Sequence, residues 1–141
     1  MRVLSLLQPW ASLVACGAKR YEVRGWQTPH RGPLLIHASA RVLTRREKIL
    51  FGNADYFRDF IDVDNLPYGC IIAQVELTAI FRTDLLIAQM DLDKSVNWQQ
   101  ELAFDNYGPG RYAWKLEDAR PLRYFLPMKG SLGLWNYDGE I

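Results

Sequence analysis

The sequence predicts a small α+β domain: a curled, mostly antiparallel sheet or barrel with helices packed at its ends. Three observations lead there. The 141 residues suit a single domain spanning 1–141, with no linker, repeat or low-complexity tract to mark a second. A hydrophobic fraction of 49%, with five Trp, seven Tyr and six Phe, is enough for a core that needs no disulfide or metal. About six short strand signals and three or four helical ones follow in irregular order, which argues against a doubly wound βαβ sheet.

Val3 to Leu7 reads as a short strand, and Pro9 fits the first turn of a helix, where no amide donor is needed. Trp10, Leu13 and Val14 share a face of that helix, and Gly17 can take the left-handed conformation that stops it. Lys19 to Arg24 then runs extended. Thr28 to Pro33 is a dense turn, followed by the apolar strand Leu34 to Ala38. Thr44-Arg45-Arg46-Glu47 has the spacing of a capping box and opens a helix before Ile49, Leu50 and Phe51. Asp55 to Ile61 reads as a second helical piece, and Leu66 to Gly69 turns the chain into the longest strand signal, Cys70 to Phe81. Strict alternation there puts Ile71, Ala73, Val75 and Leu77 on one face and Ile72, Gln74, Glu76 and Thr78 on the other. Ser95 to Phe104 reads as a helix, Gly108 to Gly110 as a loop, and Arg111 to Glu117, Leu122 to Leu126 and Leu132 to Trp135 as the last strand segments.

Seventeen basic residues against sixteen acidic leave a formal charge of +1, which excludes a broad phosphate-coating grip on nucleic acid and confines any such contact to a patch. Cys16 and Cys70 form no CxxC pair and have only His30 and His37 to assist them, so no zinc site is expected. Both cysteines stand among apolar neighbours and are expected as buried, reduced thiols, a usage that fits a reducing compartment. The apolar start ends at Gln8-Pro9 without a cleavage site, and no stretch approaches the roughly 20 apolar residues of a membrane span, so a cytoplasmic protein without a membrane partner is expected. Phosphate-loop, dinucleotide, zinc-protease and nucleophile-elbow signatures are all absent, and no cofactor is expected.

What remains is a polar corner: Gln8-Pro9-Trp10-Ala11, then Gly17 to Arg24, then Trp26. In a regular strand Glu22 and Arg24 share a face, whereas Lys19, three residues from Glu22, joins them only if the strand starts after it. The helix stop at Gly17 permits that. A Lys within reach of carboxylates can donate a proton, hold a phosphate or polarise a carbonyl. The alternative is an exposed Lys19 beside a surface Glu22 and Arg24 pair worth at most about 1 kcal/mol.

Gly17-Ala18-Lys19-Arg20-Tyr21-Glu22-Val23-Arg24 fits G-x-K-x-x-E-x-R, and with it the chain resembles the ASCH domain family (activating signal cointegrator homology), a branch of the PUA-like superfamily. The resemblance also takes in Leu4 to Ala11, Arg31 to Ala38, Val75-Glu76-Leu77, Tyr112 to Leu116 and Lys129 to Trp135. It implies a PUA-like β-barrel with flanking helices and a cleft for a nucleobase or short RNA beside the first helix. It also implies a function among RNA binding, single-stranded ribonuclease action and hydrolysis of N4-acetylcytidine. Amidohydrolase members use a Lys, a Thr three residues later and a Glu from a later strand. Lys19 matches the first, Glu22 stands in place of the Thr, and Glu76 is the candidate strand carboxylate.

The resulting candidates are Lys19, Glu22 and Glu76 for catalysis and Arg24, Arg31 and Trp26 for binding, with single-stranded RNA or a modified nucleoside as partner. Glu22 or Glu76, desolvated beside Trp26, would deprotonate a water or a ribose hydroxyl while Lys19 stabilises the negative charge. Arg20, Arg41, Arg45, Arg46 and Lys48 bias the N-terminal third toward positive charge, the alternative for Arg45, Arg46 and Lys48 being a solvated helix face. Trp10, Trp114 and Trp135 are expected in the core and Trp26 at a cleft mouth. His37 is expected as a hydrogen-bonded core histidine and His30 as exposed. A non-catalytic RNA-binding module and a protein-interaction domain remain alternatives to a hydrolase.

Overall fold

In the computed structural model, which describes residues 1–141, six strands and four α-helices form a curled half-barrel. The strands are β1 (Arg2–Leu6), β2 (Tyr21–Arg24), β3 (Gly32–Ala38), β4 (Cys70–Arg82), β5 (Tyr112–Pro127) and β6 (Leu134–Asn136). The helices are α1 (Trp10–Ala15), α2 (Arg45–Asn53), α3 (Thr83–Gln89) and α4 (Trp98–Phe104), with a short 3-10 turn at Met90–Leu92. The sheet order is β2-β5-β4-β3-β1-β6; β1 runs parallel to β3 and every other pairing is antiparallel. This is the α+β, mostly antiparallel architecture that the irregular order of signals predicts. No helix is long and apolar enough to cross a membrane.

Period-two alternation divides the buried side chains between the two faces of the sheet. Leu4, Leu6, Leu34, Ile36, Val75, Leu77, Trp114 and Leu116 pack with Ala11, Val14 and Ala15 of α1 to make the main core. Val3, Leu35 and Ile71 lie in a second cluster with Leu122, Leu126, Met128 and Trp135. Tyr21, Val23 and Ala113 pack under Leu86, Val96 and Tyr107.

Several expectations change. β4 carries register shifts against β5 between Ile71 and Ala73, Gln74 and Glu76, and Leu77 and Ala79. Each such irregularity breaks strict alternation, so Ile72 joins Ala73, Val75 and Leu77 in the main core while Ile71 falls in the second cluster. The segments Arg111 to Glu117 and Leu122 to Leu126 are one long strand, β5, in which Asp118 at φ 54° lets the ladder continue past an irregularity. The Thr44 to Glu47 capping box is present as predicted. Asp55 to Ile61, by contrast, forms turns that place Phe57 against Trp10, Phe51 and Phe104. Helix α3 gave no clear signal because it buries only Thr83 and Leu86. Cys70 is buried as expected, whereas Cys16, just beyond the end of α1, is exposed. Of the tryptophans expected in the core, Trp114 is fully buried; Trp10 and Trp135 are half-buried at its edges.

Candidate functional site

Local chemistry at both ends of α1 builds the polar corner. No N-cap side chain serves the helix; instead the buried Gln8 amide accepts from the Ser12 N–H at 3.0 Å and donates to Ser12 Oγ and the Pro67 carbonyl, each at 2.8 Å. At the other end Gly17, at φ +83°, lets its own N–H reach the Val14 carbonyl and the Lys19 N–H return to the Leu13 carbonyl, both at 3.0 Å. Strand β2 starts only at Tyr21, so Lys19 is free of strand parity and meets Glu22.

Lys19 is 1% exposed. Its Nζ donates to the Tyr21 carbonyl at 2.5 Å, Glu22 Oε1 at 2.8 Å and Asp105 Oδ2 at 2.9 Å. An ammonium has three N–H groups, and all three are engaged. Burial opposes its charge, but Glu22 and Asp105 together outweigh that and hold its pKa above the ordinary lysine value. The two carboxyls diverge. Burial drives Glu22 up despite the attraction of Lys19, whereas for Asp105 the opposing burial is overcome by the Lys19 charge and the Val23 N–H, which hold it down. The corner therefore sets side by side two carboxyls whose proton affinities are pushed in opposite directions, the arrangement in which donor and acceptor roles separate.

Arg24 Nε lies 3.3 Å from Glu22 Oε2, and its Nη2 donates to the Ser5 carbonyl at 3.0 Å. That Nε is buried without an aligned acceptor. Ser5, Leu7, Trp10, Glu22, Arg24 and Asp105 line a cavity of about 280 Å³. Beneath it Glu101 of α4, 1% exposed, accepts from the backbone N–H groups of Arg20 at 2.7 Å and Tyr21 at 3.3 Å. Burial pushes its carboxyl up to about 7.

Of the predicted residues, the fold brings Lys19, Glu22 and Arg24 together and leaves Glu76, Arg31 and Trp26 apart. Glu76 pairs with Pro33 and Glu117, while its neighbour Leu77 pairs with Leu116 in the main core. Glu22 pairs with Trp114, also in that core, so Glu22 and Glu76 occupy opposite faces of the sheet. Arg31 folds back on its own turn, donating to the carbonyls of Thr28 and His30. Trp26 packs edge-on against Trp114 with ring centroids 4.9 Å apart, and the aromatic wall of the cavity is Trp10. Sequence reasoning missed Asp105, Glu101 and Ser5. Asp105 carried one signal: a carboxylate at the C-terminus of a helix opposes the helix dipole and so asks for a compensating cation. His37 is buried and hydrogen-bonded as expected; His30 is half-buried, its Nε2 2.9 Å from the Pro33 carbonyl.

The model of the ASCH domain family matches residues 4–124 of the chain. Activating signal cointegrator 1 from Homo sapiens is 29% identical over 146 aligned positions, covering 98% of this chain and 22% of its own length. The Mus musculus protein of the same name is 28% identical with the same coverage. This chain thus spans about a fifth of the length of those relatives. Among solved structures, ASCH from Zymomonas mobilis superposes with a TM-score of 0.57 at 17% identity, over 97% of this chain and 87% of that one. A mutant of the same protein gives the same TM-score over 90% of its chain. At that identity the likeness concerns the fold.

Proposed function

The chain belongs to the ASCH domain family, and from that premise we propose that its cleft recognises a nucleobase, either in single-stranded RNA or in a modified pyrimidine nucleoside. The observation that carries this reading is the cavity wall itself. Glu22, whose carboxyl burial pushes up, Asp105, whose carboxyl Lys19 holds down, and the Arg24 guanidinium stand beside Trp10 around about 280 Å³. A base edge presents donors and acceptors together on a flat, apolar body, and this wall answers each of them.

Lys19 serves as a positioning residue, since its three N–H groups hold Tyr21, Glu22 and Asp105 and none is left for a ligand. A second reading, hydrolysis, is favoured by the opposed directions of Glu22 and Asp105. Glu22 would act as general acid to the leaving group and Asp105 as base to a water.

The test is titration of a labelled oligoribonucleotide and a panel of acylated and methylated pyrimidine nucleosides, with chromatography for product. Arg24→Ala should weaken binding by about tenfold to a hundredfold, the loss typical of one charged hydrogen-bond partner. Glu76→Ala, on the opposite face, should leave it within about twofold. Product that disappears in Asp105→Asn supports hydrolysis; salt-dependent binding without product supports recognition alone. Failure of every ligand to bind, or an Arg24→Ala variant that binds as the parent does, overturns the reading in favour of a protein-interaction domain.

A further inference from the structure

A second polar cavity, of about 320 Å³, lies at the carboxyl ends of the parallel strands β1 and β3, lined by Ser5, His37, Ser39, Lys129, Gly130 and Ser131. We propose that Ser5 and His37 form a nucleophile and base pair there, making this cavity a reactive site for a short acyl ester. The two residues are register partners across the parallel pair, so the backbone fixes them on one face. Ser5 Oγ lies 3.0 Å from His37 Nδ1, and His37 Nε2 lies 2.8 Å from the Met128 carbonyl. A carbonyl can only accept, so Nε2 carries the ring proton in the neutral tautomer and Nδ1 is the acceptor for the Ser5 hydroxyl. The Trp135 indole N–H donates to Ser5 Oγ at 3.1 Å and occupies its lone-pair side, which steers the hydroxyl proton toward His37. Hydroxyl, imidazole and an orienting acceptor behind it are the parts that activated-serine chemistry requires, with a backbone carbonyl in the place of a carboxylate.

The surroundings suit the chemistry. An ideal Cβ on Gly130 would lie 2.6 Å from Ser5 Oγ and 2.7 Å from His37 Cε1, so only glycine lets the loop approach the pair this closely. The N–H groups of Lys129, Gly130 and Ser131 bond to no acceptor within the chain, and their loop lines the cavity, so they are the candidate donors for an oxyanion. The small lining residues leave room for a short acyl chain.

The reaction balances with water as the only co-reactant. Ser5 Oγ attacks the ester carbonyl as its proton passes to His37 Nδ1. The tetrahedral intermediate collapses, the C–O bond to the leaving alcohol breaks, and the alcohol departs with the proton from Nδ1. Water then attacks the acyl-serine, gives its proton to Nδ1 and releases the carboxylic acid as that proton returns to Ser5 Oγ.

The test uses a fluorophosphonate, which phosphonylates an activated serine with loss of fluoride, read by intact mass and peptide mapping on the whole chain. One adduct on Ser5 is expected, and none in Ser5→Ala. His37→Ala should slow labelling by about a hundredfold or more, the usual worth of a positioned base. His37 is buried, so Gly130→Ala serves as the second variant. It pushes a methyl into the pair from a loop, and it should slow labelling while circular dichroism stays unchanged. Absence of a Ser5 adduct in the parent protein overturns the proposal, as does equal labelling in a folded His37→Ala or Gly130→Ala. Ser5 lines both cavities, but labelling is read without RNA or nucleoside, so its failure and the failure of the cleft at Glu22 are distinguishable.

Discussion

Replacing Lys19 by methionine keeps most of the side-chain volume and removes the charge, leaving Glu22 and Asp105 facing each other in a buried site. Removing one partner from a buried ionic cluster typically costs about 3 to 5 kcal/mol, because the remaining charge is uncompensated. A chain of this size has total stability of about 7 to 20 kcal/mol, so the variant should fold but melt roughly 10 to 15 °C lower. The stability role therefore precedes any loss of binding in Lys19 variants. The deficit should also depend on pH. Asp105 is held down by Lys19 in the parent, so its contribution is present above the ordinary carboxylate range and is lost as pH falls. Without the cation both carboxyls rise, the folded variant binds protons that the unfolded chain does not, and its stability improves on acidification. Urea unfolding of both proteins at pH 7.5 and pH 5 measures this, with the gap expected to narrow at the lower pH. A gap below about 1 kcal/mol at pH 7.5, or one that does not change with pH, would refute the placement of Lys19 as the buried counter-charge.

Glu101→Gln tests the clamp beneath the signature turn. A carboxyl raised from 4.5 to about 7 favours the protonated folded state, so its contribution is complete below pH 4.5 and lost as pH rises through 7, about 3 kcal/mol in all. The variant should flatten that part of the stability profile, seen in melts from pH 4.5 to 8. Gly17→Ala meets no atom within 4 Å, so its cost should be the backbone one alone, about 1 to 2 kcal/mol for a left-handed residue, read from the urea midpoint.

The local devices of this protein are legible because each depends on residues a few positions apart. The Thr44 to Glu47 cap, the Gly17 helix stop and the release of Lys19 from strand parity all follow from neighbours within one turn, where sequence spacing and spatial distance are the same thing. The ordered motifs from Leu4 to Trp135 likewise carry the family, since they record a whole chain's pattern.

The partners of those devices lie outside that range. Asp105 completes the Lys19 cluster from 86 residues away, and Glu101 grips the Arg20 amide from 81 away; no local periodicity encodes which distant carboxylate arrives. Glu76 shows the other limit. Alternation correctly makes it a polar position of its strand, but cross-strand pairing decides which face of the sheet that position presents, and the pairing turns Glu76 from Glu22. The Ser5 and His37 contact has the same origin, because a parallel pairing aligns residues only after the intervening chain has crossed over. Sequence thus carries the α+β class, the family and the composition of the corner. Tertiary structure alone selects Asp105 over Glu76 and Trp10 over Trp26, because burial, and the charge state that burial enforces, belongs to the packed chain rather than to any segment of it.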